Sequence, residues 1–138
     1  MDIETLQNSL PGLPRFLGMV FTHVEKDRIV AEIIVREEHC TEHNTIHGGA
    51  IMAYADTMGA MGTIVNLRDG QITTTIESKT NFFAATPAGA KLIAETVPLH
   101  RGRRTQVWET RLLHENGKLA SKVTQTQIVL EKPKGGAQ

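Results

Sequence analysis

The chain has a single cysteine, no excess of either charge, and no apolar run long enough to cross a bilayer. Each shortage excludes something. With Cys40 alone an internal disulfide is impossible, which fits a reducing compartment. Lysine and arginine number 15, and so do aspartate and glutamate, giving zero formal net charge. Chains whose main work is binding nucleic acid carry a basic surface, so that class is set aside. The longest apolar stretch, residues 50–65, falls short of the roughly 20 residues a membrane helix needs and is interrupted by Asp56. No charged n-region and apolar h-region open the sequence, so a secretory signal is not expected. The expected location is the cytoplasm, with neither nucleic acid nor membrane as partner. At 138 residues, one domain with a real core is expected.

Hydrophobic periodicity divides the chain into one long helix among strands. Residues 2–10 read as a short helix stopped by Pro11 and Gly12. Residues 17–24 and 29–36 read as two strands joined by the polar Glu25-Lys26-Asp27-Arg28. Residues 37–47 are polar and without period, hence a loop. Residues 49–66 form the one long helix, in which Gly59 and Gly62 mark close approach of another backbone. Residues 72–83, 90–99, 104–114 and 118–130 read as strands, the second following a turn at Pro87-Ala88-Gly89. The last two are joined by Glu115-Asn116-Gly117, a strong hairpin signal. The organisation is therefore a lead-in with a short helix at 1–16, one domain at 17–131 and a flexible tail at 132–138. The class is α+β, an antiparallel sheet of about six strands curling round one helix. That helix is apolar on every side, and one sheet covers one side, so a second subunit is expected on the other.

Asp56 is the only formal charge between His47 and Arg68. A lone carboxylate in an apolar helix is costly unless partnered, and so is a functional candidate. Nine residues earlier comes His47-Gly48-Gly49, a helix start with open backbone N–H groups suited to a developing oxyanion. The blander alternative for Asp56 is a structural hydrogen bond across a dimer.

Ile46-His47-Gly48-Gly49 with Asp56, then Thr75, Asn81-Phe82-Phe83 and Gly89, resembles the PaaI-like acyl-CoA thioesterases. The resemblance runs from about residue 17 to 130 and implies the hotdog fold, a long helix wrapped by an antiparallel sheet. It implies that Gly48 donates its backbone N–H to the thioester carbonyl and that Asp56, from the opposite subunit, is general base or nucleophile. It also implies that Thr75 places the acid or the water. Thr41 stands where the family tends to carry an asparagine that touches the carbonyl. Asn44 stands where a glycine is common, and asparagine tolerates the left-handed turn. Gly49 joins these at the substrate. The implied activity is hydrolysis of an acyl-CoA to acid and free CoA by a homo-oligomer, a dimer or a dimer of dimers (a homotetramer). No metal or redox cofactor is implied, since coenzyme A is part of the substrate.

Several residues carry competing readings. His47 belongs to the catalytic group, but the Gly-Gly after it favours a turn-shaping role over a base. His39, Cys40, Glu42, His43 and His47 cluster in sequence, yet their spacing matches no established zinc pattern, and no metal site is expected. Cys40 lacks a paired base and reads as a bystander. The basic run around Arg101, Arg103 and Arg104 is either a solvated turn or a clamp on the phosphates of CoA. Two rival functions remain open: a non-catalytic acyl-CoA binding protein, and a hotdog hydratase or dehydratase built on His47.

Overall fold

The computed structural model describes residues 1–133, so most of the expected tail, residues 134–138, lies outside the described residues. The lead-in holds two short helices. The first, α1 (Ile3–Asn8), is capped by Asp2, whose carboxylate accepts from Thr5 N at 2.8 Å; that bond holds the carboxyl below its ordinary range. The second, α2 (Gly12–Phe16), was not expected. Five residues are too few to show a period, and two prolines read as breakers. Pro14 sits in the first turn, where its missing N–H costs nothing, and Gly18 ends the segment at φ +73°. This delays the first strand, β1 (Val20–Glu25), which starts three residues later than the sequence suggested.

The remaining elements follow the expected order. They are β2 (Arg28–Ile34), a short 3₁₀ turn (Glu37–His39), α3 (Gly48–Ile64), β3 (Gln71–Phe82), β4 (Lys91–Arg101), β5 (Thr105–His114) and β6 (Leu119–Glu131). The strands form one antiparallel sheet in the order β1-β2-β4-β5-β6-β3, and it curves far enough that α3 touches β2 through β6. The Asn116-Gly117 connection is the expected tight turn, with Gly117 at φ +84°.

Tyr54 pins the helix to the sheet. It is fully buried, and its hydroxyl donates to Ala31 O of β2 at 2.7 Å. Burial pushes its phenol upward, so it stays a neutral donor. The two helix glycines serve side chains rather than a neighbouring backbone, which corrects the sequence reading. A Cβ on Gly59 would lie 2.3 Å from the carboxamide carbon of Gln125, and one on Gly62 would lie 3.0 Å from the Trp108 ring.

The helix is also covered more fully than one sheet allows, because α2 packs on its outer side. What remains open is a stripe along Gly49, Met52, Asp56 and Ala60. Beside it runs β3, an edge strand that leaves Ile72, Ile76 and Phe82 exposed. A long edge with exposed apolar residues invites pairing with another chain.

Candidate active site

The loop ahead of α3 is built to present the helix start. Thr41 N donates to Thr45 O at 2.8 Å and Asn44 N to Thr41 O at 3.0 Å, closing a tight turn. Asn44 sits there at φ +54°, the only non-glycine with positive φ among the described residues. Ile46 N donates to Thr86 O and Ala88 N to Asn44 O, which ties the loop to the segment after β3. Thr41 lies within this turn, its hydroxyl accepting from His43 N at 3.4 Å.

His47 is the N-cap of α3. Its Nδ1 accepts from Gly49 N at 2.7 Å, and its own N–H donates to His39 O at 2.8 Å. An accepting Nδ1 leaves the ring proton on Nε2. This is the turn-shaping arrangement, and it leaves Gly48 N as a helix-start donor with no partner within the described chain. The Phe82 ring lies over Gly48, and a Cβ there would meet it at 3.2 Å. A cavity of about 350 Å³ opens at this point, lined by Ile46, Gly48, Ile51, Phe82, Phe83 and Thr86. A second, of about 320 Å³, flanks the other side of the helix start, between Phe16 of α2 and Gly49, Ala50 and Ala53.

Asp56 is half-buried on the open stripe. Its Oδ1 accepts from the Thr75 hydroxyl at 2.7 Å, and Gln125 Nε2 lies 3.1 Å from its backbone oxygen and 3.5 Å from Oδ1. No charged side chain pairs with it among the described residues, and Oδ2 has no partner there. Eight residues separate Asp56 from Gly48, a rise of about 12 Å along the helix. Within one chain the two groups cannot act on the same carbonyl.

The arginines sit at the far end of α3. Arg101 is committed to the scaffold, donating to Lys26 O at 3.0 Å and Asn66 Oδ1 at 3.2 Å. Its cavity, about 330 Å³, is also lined by Arg68, Gln71 and Arg103, and a neighbouring one of about 270 Å³ by Arg68, Arg103 and Arg104. Arg68 was missed from sequence because its companions lie more than 30 residues on. His39, His43 and His47 do not converge. His39 is buried and accepts from Arg36 N at 3.1 Å, His43 is exposed beside Glu42, and His47 caps the helix. Cys40 is half-buried, and its thiol donates to Arg36 O at 3.2 Å.

A family model described as the thioesterase superfamily matches residues 43–121. The proofreading thioesterase EntH of Cronobacter sakazakii is 31% identical over 119 residues, covering 86% of this chain and 86% of its own. Among solved structures, thioesterase HI1161 of Haemophilus influenzae superposes with a TM-score of 0.90 at 22% identity, covering 99% of this chain and 96% of its own. The PaaI protein of E. coli superposes with a TM-score of 0.85 at 18% identity, covering 94% and 92%.

Proposed function

The chain belongs to the thioesterase superfamily as a PaaI-like hotdog thioester hydrolase, and from that premise we propose that it cleaves acyl-CoA at a site shared between two subunits. The observation that carries this reading is an unpartnered Gly48 N–H at the helix start, with Asp56 fixed by Thr75 about 12 Å further along the same helix. Each group has the geometry its role needs, yet one chain separates them. A second copy, with its helix running the other way, brings the partner subunit's Asp56 to Gly48.

In this mechanism Gly48 N–H donates to the thioester carbonyl oxygen and stabilises the oxyanion as it forms. The donor is preorganised by the His47 cap, so it is not reoriented during the reaction. Asp56 takes a proton from water as the water oxygen bonds to the carbonyl carbon. Collapse of the tetrahedral intermediate breaks the C–S bond, and the departing thiolate receives the proton. In the alternative, the same carboxylate attacks the carbonyl carbon, and the C–S bond breaks to release the CoA thiolate and leave a mixed anhydride on Asp56. Water then cleaves the anhydride to the free acid, its proton passing to the thiolate. The hydratase reading needs His47 as a base, and its Nδ1 is already engaged. Neither metal nor redox cofactor takes part in this scheme.

The shared site requires association. Light scattering at micromolar concentration is expected to give at least a dimer; a monomer that still hydrolyses acyl-CoA would remove the shared-site proposal. The exposed apolar residues of β3 make that edge the expected contact.

Arg68, Arg103 and Arg104 are proposed to hold the CoA phosphates, with Arg101 holding their frame through Lys26 and Asn66. Arg68→Gln with Arg103→Gln is expected to raise KM for acyl-CoA about tenfold with kcat nearly unchanged. A truncated thioester without the nucleotide should show little change. Equal losses on both substrates, read by free-thiol release, would assign the cluster a structural role instead.

A further inference from the structure

We propose that Gln127 is a positioning residue for Asp56, acting through Thr75. The inference rests on the reading of Asp56 as base or nucleophile. Gln127 lies on β6 with its side chain turned inward, and it is wholly buried. Burying a carboxamide in a core has a cost unless its polar atoms are satisfied. Here its Nε2 donates to Thr75 Oγ1 at 2.6 Å, and its Oε1 lies 3.0 Å from Thr73 Oγ1, whose single proton it shares with Ile128 O at 2.9 Å.

The direction of this chain follows from the carboxylate outward. An ionised carboxylate only accepts, so across the 2.7 Å contact the single hydroxyl proton of Thr75 points to Asp56 Oδ1. The Thr75 oxygen must therefore accept from Gln127, and Gln127 must present nitrogen to it. That leaves its oxygen facing Thr73, whose hydroxyl proton lies between Gln127 Oε1 and Ile128 O. Gln127 thus removes the other use of the Thr75 proton: while the carboxamide nitrogen faces Thr75, the hydroxyl has no acceptor on that side. The result is one carboxylate oxygen committed to a charge-assisted bond and Oδ2 left for the water or the thioester.

Gln125, two residues earlier on the same face, supports the same placement. It is buried, and its Nε2 holds the Asp56 backbone oxygen at 3.1 Å, in space that exists only because residue 59 is glycine. The groups bonded to Asp56 are Thr75 and Gln125, both uncharged, so its orientation depends on neutral donors alone.

A double-mutant cycle tests the proposal: wild type, Thr75→Val, Gln127→Met and the double variant, each assayed for kcat, KM and the pH dependence of kcat. Thr75→Val is expected to lower kcat about tenfold, the size of one charge-assisted hydrogen bond. Gln127→Met, close in volume, should lower it about threefold to fivefold, with KM within twofold. Both should move the acid limb of kcat to higher pH, because lost donors favour the protonated carboxyl. The double variant should be no slower than Thr75→Val alone, since Gln127 acts only through that hydroxyl.

Losses that multiply in the double variant, or a Gln127→Met enzyme with unchanged kcat and acid limb, would overturn the proposal. Should Gln127→Met fail to fold, Gln127→Leu supplies the test. It has no polar atom to offer Thr75 and should show the same partial loss of kcat and the same displaced acid limb; near-normal values of both there overturn the proposal too. Asp56→Asn serves as reference throughout. Full turnover in that variant would sink the reading of Asp56 itself, which is a different outcome from a cycle that fails while Asp56→Asn is dead.

Discussion

Asp56→Asn is expected to keep its fold and its association while kcat falls by about 10²-fold or more, the range for loss of a general base. The carboxamide has the carboxylate's shape and offers an oxygen to the Thr75 hydroxyl, which donates to Oδ1 at 2.7 Å. Asp56 is half-buried and pairs with no cation among the described residues, so removing its charge leaves no stranded counterion. What the substitution removes is a group able to take a proton from water or to attack a carbonyl. Binding of a non-hydrolysable acyl-CoA analogue should persist, because Gly48 and the arginines are untouched. Calorimetric binding with no thiol release is the pattern expected. Near-normal release would overturn the mechanism. Loss of association would instead make Asp56 an interface residue, the structural role its lone charge also allowed.

How much of this was legible in the sequence depended on whether a residue's neighbours in space were also its neighbours in the chain. The helix start was legible because His47, Gly48 and Gly49 are consecutive, and Asp56 because its charge stands alone in an apolar segment. The β5–β6 hairpin was legible because Asn116-Gly117 dictates its own turn. Thr75 was reached only through family resemblance, since nothing local distinguishes it from Thr73 or Thr74.

The glutamines of β6 were not legible, and the reason is physical. In KVTQTQIVL the buried positions are Val123, Gln125 and Gln127, while Ile128 faces partly outward. A period-2 reading puts apolar residues inside, so it would have turned these glutamines to solvent. Gln125 is inside because the helix above it carries Asp56 and a glycine at 59, and Gln127 because Thr73 and Thr75 of β3 face it, constraints from 52 to 69 residues away. The same holds for α2. Its five residues have too little period to be read, and it is held by contacts from the segment after β2, where the Arg36 guanidinium lies 5.4 Å from the Phe16 ring centre and His39 packs edge-on against it at 5.7 Å.

Gly48→Pro should be as damaging to turnover as the loss of Asp56, and the two together locate the site. Proline removes the Gly48 N–H and little else. It is at home in the first helical position, and His47 before it has φ −66° and ψ 138°, the extended region a residue preceding proline adopts. The Phe82 ring that a Cβ would approach at 3.2 Å is half exposed and can shift. Losing one oxyanion donor is expected to lower kcat by about 10²- to 10³-fold. Each single variant is then nearly inactive. Co-expressed, they form mixed dimers in which one site carries both defects and the other carries neither. Random pairing makes half the dimers mixed, each with one intact site, so about a quarter of wild-type activity should return. A site contained in one chain predicts no recovery, because every subunit would still lack either its donor or its base. Recovery to that level requires that Gly48 of one subunit work with the partner subunit's Asp56.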